Sequence, residues 1–480
     1  MLQRRSQRSC LKARSLVILG LIILNGASGD DAMTPNPQSF VPPISSTERQ
    51  LTRGPGGRIL TNTGVWSPDG QWIVYDTRSD AAGAEFDGST IEMVNVQTGI
   101  VRELYRAQAG AHCGVATFHP RENKVAFILG PENPTPDWQY GPFHRQGVIS
   151  DIDAPASRPS NLDARDISPP FTSGALRGGT HVHVWDATGQ WVSFTYEDHV
   201  LAQFAQATPT NDINLRTIGI SMPDRRVSVG KDHPRNHDGG FSVLVVRVTA
   251  TPKPGSDEIK KAFEESWVGT NGYVRQDGTR QRRALAFQGH VVTTNNETIS
   301  EVFLVDLPDD LTEPGSGPLA GSTTRMPAPP RGCEQRRLTF TSDRKYPGLQ
   351  GPRHWLRSSP DGSQIAFLMK DDAGIVQLWT VSPNGGPPQQ ITRNPWSIAS
   401  AFTWSPDGKY IAHVMDNSVC ITEISSGQTR RLTPRSSDST SPRPEACVFS
   451  PNGKQIAYVR RISDAGRASN QIFITSLDHP

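Results

Sequence analysis

The chain has 480 residues, of which 35% are hydrophobic and 20% are charged, and its 49 basic and 47 acidic residues leave a formal net charge of +2. This composition is typical of a globular protein with a sizeable core, and the balanced charge, without a basic run beyond the N-terminus, argues against a nucleic-acid partner. Glycine (43 residues) and proline (39 residues) are abundant while helical periodicity is scarce, so we predict an all-β protein.

The N-terminus has the features of a secretory signal peptide. Five basic residues between Arg4 and Arg14 precede the apolar run from Leu16 to Leu24, which is followed by the small residues 26–29. This apolar run is too short to cross a bilayer, so the segment does not predict a membrane-spanning anchor. We predict a cleavable signal peptide over residues 1–29, a disordered linker over residues 30–46, and a periplasmic or secreted protein.

Four cysteines remain in the predicted mature chain, namely Cys113, Cys333, Cys420 and Cys447. Four cysteines in a chain of this length do not form a disulfide framework. A bridge between Cys420 and Cys447 and buried free thiols are the two alternatives.

One pattern recurs along the chain: an apolar strand, a turn of the Pro-Asp-Gly type, and a second strand. Six copies are present, over residues 65–75, 118–127, 185–194, 358–367, 404–412 and 449–458. The turn prolines Pro360, Pro406 and Pro451 are 46 and 45 residues apart, the period of a four-stranded propeller blade. An aromatic residue two positions before the turn recurs in five of the six copies, which is typical of packing between blades.

A third and a fourth strand follow most copies, but the last copy ends without a fourth. The segment Arg49 to Thr52, ahead of the first copy, has the missing pattern, so we predict that an N-terminal strand completes the last blade. The 173 residues between Ala187 and Pro360 leave room for an irregular fourth blade with an insertion over residues 236–342. We expect its strands at 241–248, 283–293, 299–305 and 337–340, and a helix at 256–267. The prediction is a single propeller domain, residues 47–480, with seven blades; six and eight blades are the alternatives.

These repeats resemble the WD40-related, PD40-type propeller repeats of the TolB periplasmic family, over roughly the whole predicted mature chain. The stretch from Gln50 through residues 130–140 to residues 179–183 also resembles bacterial proteins labelled Tol-type biopolymer transporters. Both resemblances imply a propeller and carry little information about mechanism.

Histidines recur near the start of the innermost strand in several predicted blades. His354 lies six positions before Pro360, His181 and His183 lie six and four before Ala187, and His112 lies eight before Pro120. Residues at even offsets share one face of a strand, so these imidazoles should line one mouth of the channel. His237 just precedes the strand expected at residue 241 and would add a histidine from the fourth blade.

A long loop in blade 2, residues 130–146, should overhang the same mouth, because it lies at the same end of an antiparallel blade as the start of the first strand. Loops over a concave mouth are common ligand sites. We predict that four of its residues bind substrate: Glu132, Trp138, Tyr140 and His144.

The histidines allow two interpretations. Imidazoles at alternate positions of one strand, joined by others from neighbouring blades, could hold one divalent ion and leave coordination positions open. They could equally bond to backbone and water, with His181 and His183 on a face between blades as core residues. We predict a metal site, with His112, His181, His183, His354 and His237 as candidate ligands.

The region from His112 through residues 118–133 to the His181/His183 pair also resembles the metal-binding region of oligogalacturonate lyases, which are seven-bladed propellers. The resemblance spans about two blades and implies manganese-type ligands at His112, His181 and His183. It implies a metal-dependent lyase acting on uronate-containing, acidic oligosaccharides, with Arg177 or Arg145 as the catalytic base. Gly178 departs from the family, which has a glutamine ligand there.

A non-catalytic, TolB-like binding platform for an envelope component is the alternative function. It requires no metal. A serine peptidase is disfavoured because the predicted mature sequence lacks a Gly-Xaa-Ser-Xaa-Gly elbow. In either function we expect a monomer that does not span a membrane.

Overall fold

The computed structural model of the protein describes residues 48–80, 83, 85–155, 158–207, 215–464 and 467–477. The predicted signal peptide and linker, residues 1–46, lie outside the described residues. The strands begin with β1 (Arg49–Gln50), and seven four-stranded antiparallel sheets account for nearly all of the secondary structure in the described ranges.

The first three blades lie in chain order. Blade 1 contains β2 (Gly57–Ile59), β3 (Trp72–Arg78), β4 (Thr90–Asn95) and β5 (Val101–Arg106). Blade 2 contains β6 (Cys113–Phe118), β7 (Lys124–Leu129), β8 (Gln146–Asp151) and β9 (Ser160–Asn161). Blade 3 contains β10 (Gly178–Trp185), β11 (Val192–Asp198), β12 (Thr217–Val227) and β13 (Gly239–Leu244), with the helix α1 (His199–Ala207) between β11 and β12.

Blade 4 carries an additional hairpin between its first two strands. Its strands are β14 (Ile259–Trp267), the hairpin β15 (Tyr273–Val274) and β16 (Arg280–Gln281), then β17 (Ala284–Val292), β18 (Thr298–Asp306) and β19 (Glu334–Arg337). Blade 5 contains β20 (Arg357–Ser358), β21 (Ile365–Lys370), β22 (Val376–Val381) and β23 (Gln389–Gln390). Blade 6 contains β24 (Thr403–Trp404), β25 (Tyr410–Met415), β26 (Ser418–Glu423) and β27 (Thr429–Arg431).

The N-terminal strand closes the ring, as predicted. Blade 7 contains β28 (Pro442–Phe449), β29 (Gln455–Asp464) and β30 (Arg467–Ser476), and β1 pairs with β30 as the fourth strand. Just after β1, Leu51 is buried and its amide donates to the carbonyl of Ile472 at 2.8 Å. The hydroxyl of Thr52 donates to Gln471 Oε1 at 2.7 Å. The all-β, seven-bladed prediction is confirmed.

The core consists mainly of apolar layers between neighbouring blades. Residues of blades 7 and 1 form one buried cluster, and residues of blades 4 and 5 form another. Three repeat tryptophans also reach across by hydrogen bonds, since the indole N–H groups of Trp66, Trp267 and Trp404 donate to the carbonyls of Val448, Val184 and Arg357 at 2.9–3.0 Å. This is the inter-blade packing that the repeat predicted.

Two predicted elements around blade 4 are wrong. The segment predicted as a helix, residues 256–267, contains the innermost strand β14, whose register shifts twice against β17. Each shift interrupts the alternation of side chains, so buried residues recur at spacings that imitate a helix. The strand expected at 241–248 as the first of blade 4 overlaps β13, which is instead the outermost strand of blade 3.

Three consecutive innermost strands share a bulge with a non-glycine residue at positive φ. These residues are Val115 in β6 (φ 60°), Val182 in β10 (φ 57°) and Glu264 in β14 (φ 56°). The register shifts at the same three places. Because a bulge reverses the side-chain alternation, residues two apart across it no longer share a face.

Two smaller expectations can be compared with the fold. All four cysteines are buried and free, so the Cys420–Cys447 bridge is not formed. No helix in the described ranges is long and apolar enough to cross a membrane.

Candidate functional site

The long loop of blade 2 lies against the start of β10, as predicted. The amide of Thr180 donates to the carbonyl of Arg145, and that of Gly130 to the carbonyl of His112 at 2.7 Å. A Cβ on Gly179 would collide with the Pro142 carbonyl of the loop, and one on Gly178 with the carbonyl of Glu197. Gly179 is therefore required for the loop to approach this strand, and Gly178 for the close pairing of β10 with β11.

A cluster of aromatic rings anchors the loop to blade 3. Trp138 is buried, with His144 stacked on it at 3.9 Å between ring centroids and His199 edge-on at 4.6 Å. His199 is placed by α1, whose first turn is capped by Asp198 Oδ1 accepting from the amide of Leu201 at 2.9 Å.

The two histidines of this cluster form a neutral pair. His144 Nδ1 donates to the carbonyl of Gln139 at 2.7 Å, so its Nε2 accepts from His199 Nδ1 at 3.0 Å. Burial lowers the pKa of His144, and burial with the neighbouring His144 lowers the pKa of His199 to about 3. Both imidazoles are uncharged at neutral pH.

Beside this cluster lies a cavity of ≈ 330 Å³, which we call the rim cavity. Its walls come from the loop that follows β7 and from two irregular segments, residues 158–165 and 234–237. These two segments are joined to each other by reciprocal backbone hydrogen bonds between Arg165 and His237, at 2.9 and 3.0 Å. Its volume is within the range of small-molecule sites.

The rim cavity is rich in arginine. Arg158, Arg165 and Arg235 line it against one carboxylate, Glu132, which lies 3.5 Å from Arg158. Arg235 donates to the carbonyls of Glu132 and Asn133 at 2.8 and 2.9 Å and so fixes the loop. Burial and the neighbouring Arg165 lower the pKa of His237, which also lines the cavity, to about 3. The cavity is therefore positively charged at neutral pH and favours an anion.

Of the four predicted substrate-binding residues, three line the rim cavity: Glu132, Trp138 and His144. Tyr140 instead stacks on Phe86 with centroids 4.5 Å apart, and its hydroxyl accepts from Arg145 Nε at 3.0 Å. Arg145, one of the two predicted catalytic residues, is thus held by Tyr140 outside the cavity lining.

Arg177, the other predicted catalytic residue, is completely buried. Its guanidinium pairs with Asp198 at 2.7 Å and also donates to the carbonyls of Ser322 and Arg325 on the loop between β18 and β19. The hydroxyl of Tyr196 donates to the same Asp198 oxygen at 3.0 Å. Arg177 therefore joins blade 3 to the blade 4 loop.

The bulge at Val182 gives the two histidines of β10 different surroundings. His183 is fully buried beside Gly147 of blade 2, where an added Cβ would lie 2.6 Å from its Nε2. That Nε2 lies 3.0 Å from Thr180 Oγ1, and burial lowers the pKa of His183 to about 3. His181 is half-buried, and burial followed by the charge of Arg145 lowers its pKa strongly. The face between blades is thus the environment of His183.

The remaining predicted ligands are dispersed. His354 uses both ring nitrogens, since Nδ1 donates to the carbonyl of Pro352 at 2.9 Å and Nε2 accepts from the amide of Leu368 at 3.1 Å. His112 precedes β6, and its carbonyl accepts from the loop. His237 precedes β13 on the outer side of blade 3, not the inner strand of blade 4.

Across the described part of the chain, no group of three or more His, Cys, Asp and Glu side chains could hold a metal ion. The five candidate histidines therefore do not form such a group here. The bonds that occupy His354 and the bulge that separates His181 from His183 give the physical reasons, so the donor set does not fit the predicted ion.

The channel carries acidic residues that the sequence did not single out. Glu264 pairs with Arg353 at 2.7 Å, and the fully buried Glu265 accepts from the hydroxyl of Thr195 at 2.9 Å. Burial raises the pKa of Glu265 to about 7. Glu264 lies in the β14 bulge and Glu265 follows it, and no local feature of the sequence predicted this bulge.

Glu265 should make stability fall between pH 5 and pH 8. Its folded pKa lies above its unfolded value, so its contribution is fully present below about pH 4.5 and is lost as pH rises through about 7. We expect the free energy of unfolding to fall by about 3 kcal/mol more in the wild type than in Glu265→Gln over this range. Denaturant unfolding at both pH values measures this, with the exposed Glu313→Gln as control. If the free energies of unfolding of the wild type and Glu265→Gln differed by the same amount at both pH values, the raised pKa of Glu265 would be contradicted.

Sequence comparison places relatives alongside this chain. Residues 112–237 match a family model described as "Protein of unknown function (DUF3748)". This span contains every residue that lines the rim cavity except Tyr105. The chain is also 46% identical over 435 residues to the "Uncharacterized protein YidR" of Escherichia coli strain K12. The aligned residues cover 90% of this chain and 97% of the relative.

Solved structures with the same architecture include two oligogalacturonate lyases. One, in complex with manganese, shares 11% identity with a TM-score of 0.53 over 92% of this chain and 97% of that chain. The other, from Vibrio parahaemolyticus, shares 10% identity with a TM-score of 0.51 over 91% and 98%. TolB from Acinetobacter baumannii aligns at 16% identity and a TM-score of 0.33 over 85% and 81%. The expected resemblance to the oligogalacturonate lyases is confirmed for the fold.

Proposed function

Since this chain belongs to the same family as YidR of Escherichia coli, we propose for it a function built on the segment that the family model covers: the capture of an acidic, uronate-containing saccharide in the rim cavity. The protein would act as an exported monomer. The observation that carries the proposal is the convergence of Arg158, Arg165 and Arg235 on a cavity whose histidines are uncharged.

Arginine suits a carboxylate ligand because its planar guanidinium can donate two parallel hydrogen bonds. Arg158 is the most accessible of the three, with 87% of its side chain exposed, and its ion pair with Glu132 is long at 3.5 Å. An incoming carboxylate can therefore replace Glu132 as its partner at little cost.

Uncharged polar groups in the same wall suit the hydroxyl groups of a sugar. The amides of Gln146, Asn161 and Asn236 line the cavity, and Trp138 adds an apolar surface. Such a mixture of amide, arginine and aromatic groups is typical of a site for a polar ring that carries a carboxylate. The substrate in the names of the two lyase neighbours is an acidic saccharide of this kind.

Titration with trigalacturonate, followed calorimetrically, tests the proposal. We expect saturable binding to the wild type, and a loss of about tenfold or more in Arg158→Gln and Arg235→Gln, because each removes a charge-assisted hydrogen bond. Arg331→Gln, an exposed arginine on the blade 4 loop, is the matched control, and maltotriose is the uncharged probe. Equal affinity for both saccharides, or unchanged affinity in both cavity variants, would refute an acid-recognising site.

The same samples distinguish a lyase from a binding platform. Elimination at a uronate creates a conjugated alkene that absorbs in the ultraviolet, so incubation with trigalacturonate, with and without added Mn²⁺, detects it. An increase in ultraviolet absorbance that requires added Mn²⁺ would support the predicted metal-dependent lyase. Binding of trigalacturonate without any increase in absorbance would support the TolB-like platform. Among the described residues, the candidate histidines do not form a donor set that fits a metal ion. Cell fractionation tests the predicted export.

A further inference from the structure

The opposite mouth of the channel, where the Pro-Asp-Gly turns lie, contains a second cavity of ≈ 410 Å³. Its wall includes one aromatic residue from each of blades 1 to 4, namely Trp66, Phe118, Trp185 and Trp267. We call it the aromatic cup. The rim cavity is formed by the loop that follows β7, and the cup by the turn that precedes β7, so the two lie at opposite ends of the antiparallel blades.

One of these four aromatic residues departs from the repeat. The indole N–H groups of Trp66 and Trp267 donate to backbone carbonyls of the preceding blades at 3.0 and 2.9 Å. The N–H of Trp185 is buried and has no hydrogen-bond partner among the described residues. The rings of Trp185 and Trp267 are only half-buried, whereas Trp66 and Phe118 are buried. Two indoles therefore present apolar surface to the cup.

Arg357 and Ser266 add polar groups to the same wall. Arg357 is 8% exposed, and its guanidinium donates across the channel to the side chain of Asn62 in blade 1. Its Nε and the hydroxyl of Ser266 are buried, again without a partner in the described part of the chain. Three residues of the wall, Trp185, Ser266 and Arg357, therefore each contain a buried hydrogen-bonding group without a partner among the described residues, and a buried donor left unsatisfied is costly.

The charges around the cup leave Arg357 as the group for an anion. Asp186, in the same wall, pairs with Arg283 at 3.1 Å. His119 uses both nitrogens, because Nδ1 accepts backbone amides at 2.8 and 3.1 Å and Nε2 lies 3.0 Å from the carbonyl of Gly189. Two carboxylates lie near Arg357. Glu265 affects it more strongly, but burial raises the pKa of Glu265 to about 7, and Glu264 already pairs with Arg353.

We propose that the aromatic cup binds a small monocarboxylate with a flat aromatic group, its ring against Trp185 and Trp267 and its carboxylate towards Arg357. Indole surfaces favour stacked or edge-on aromatic rings. A carboxylate accepts several hydrogen bonds at once, which suits a wall whose residues Arg357, Ser266 and Trp185 contain donors without partners among the described residues. This site is separate from the one that takes the saccharide.

Phenylacetate is the probe, with phenylacetamide as its uncharged match and acetate as a carboxylate without a ring. Calorimetry and the fluorescence of Trp185 and Trp267 should both report saturable binding of phenylacetate. Affinity for the amide and for acetate should each be about tenfold weaker or more. Binding should persist in saturating trigalacturonate. The absence of saturation by about 10 mM phenylacetate, or equal affinity for phenylacetamide, would overturn the proposal.

Variants locate the ligand. Arg357→Gln removes the cation, Ser266→Ala the hydroxyl, and Trp185→Phe the indole N–H while keeping a ring. We expect each to weaken phenylacetate binding several-fold, with Arg357→Gln the most affected, and Trp396→Phe on blade 6 to leave it unchanged. Should Arg357→Gln fail to fold because it spans the channel, the other two variants decide. Unchanged affinity in both would overturn the assignment to the cup.

Discussion

Replacing Arg177 by alanine should lower the free energy of unfolding by about 3–5 kcal/mol. The substitution leaves the carboxylate of Asp198 buried without its cation, and it removes the donor that holds the carbonyls of Ser322 and Arg325. Chemical denaturation followed by tryptophan fluorescence measures the loss. An unfolding midpoint equal to that of the wild type would contradict a structural role for this ion pair.

Two controls make the result specific. Arg331→Ala removes an exposed arginine paired with Glu313 on the same loop, and its effect should stay within about 0.5 kcal/mol. Asp198→Asn in the Arg177→Ala background removes the unpaired charge while its oxygen can still cap α1, so part of the lost stability should return. A double variant no more stable than Arg177→Ala would show that the buried charge is not the cause.

A chain that starts at Arg53 should lose at least about 3 kcal/mol relative to a chain that starts at Thr47. The shorter chain lacks the closing strand, so the buried side chain of Leu51 is lost, together with the bond that the Thr52 hydroxyl donates to Gln471 and the bond that it accepts from the amide of Ile472. Thermal and chemical unfolding of both chains measure the difference. The longer chain controls for the removal of residues 1–46.

The exposed edge of β30 provides a second measurement. Ile472 and Ile474 are buried residues of β30, the strand that pairs with the closing strand, and without that strand they lie on an unpaired strand edge that favours association. We expect the shorter chain to aggregate or to bind a hydrophobic dye, and the longer chain to do neither. Monomeric behaviour with equal stability in both chains would contradict a closing role.

The repeat made most of this fold predictable. The Pro-Asp-Gly turns located six blades, because the turn chemistry and the apolar strands beside it are local properties of the sequence. The closing strand was predictable because the last blade lacked a strand that a segment elsewhere supplied. In blade 4 the strands predicted at 283–293 and 299–305 overlap β17 and β18, but its first strand was not predictable, since the bulges of β14 gave it a helical spacing of buried residues.

The candidate site was predictable only in part. Strand parity placed the blade 2 loop at the same end of the blades as the start of β10, and three of its four predicted substrate-binding residues line the rim cavity. The arginines Arg158, Arg165 and Arg235 were missed, because they lie in irregular segments that long-range contacts bring together. The prediction that His181 and His183 share one face was wrong, because Val182 between them adopts a positive φ. A β-branched residue rarely does so, and nothing in the sequence indicates it.

The closing strand also fixes an order of events in time. Gln471, which bonds to Thr52 just after β1, lies 419 positions later in the chain. During synthesis β1 can therefore pair only after the hairpin of β29 and β30 has been made. Until then the chain is an open arc of blades with two unpaired edges. The ring can therefore close only after β30 has been made, and a chain interrupted at an earlier blade keeps two unpaired edges that favour association and recognition by chaperones.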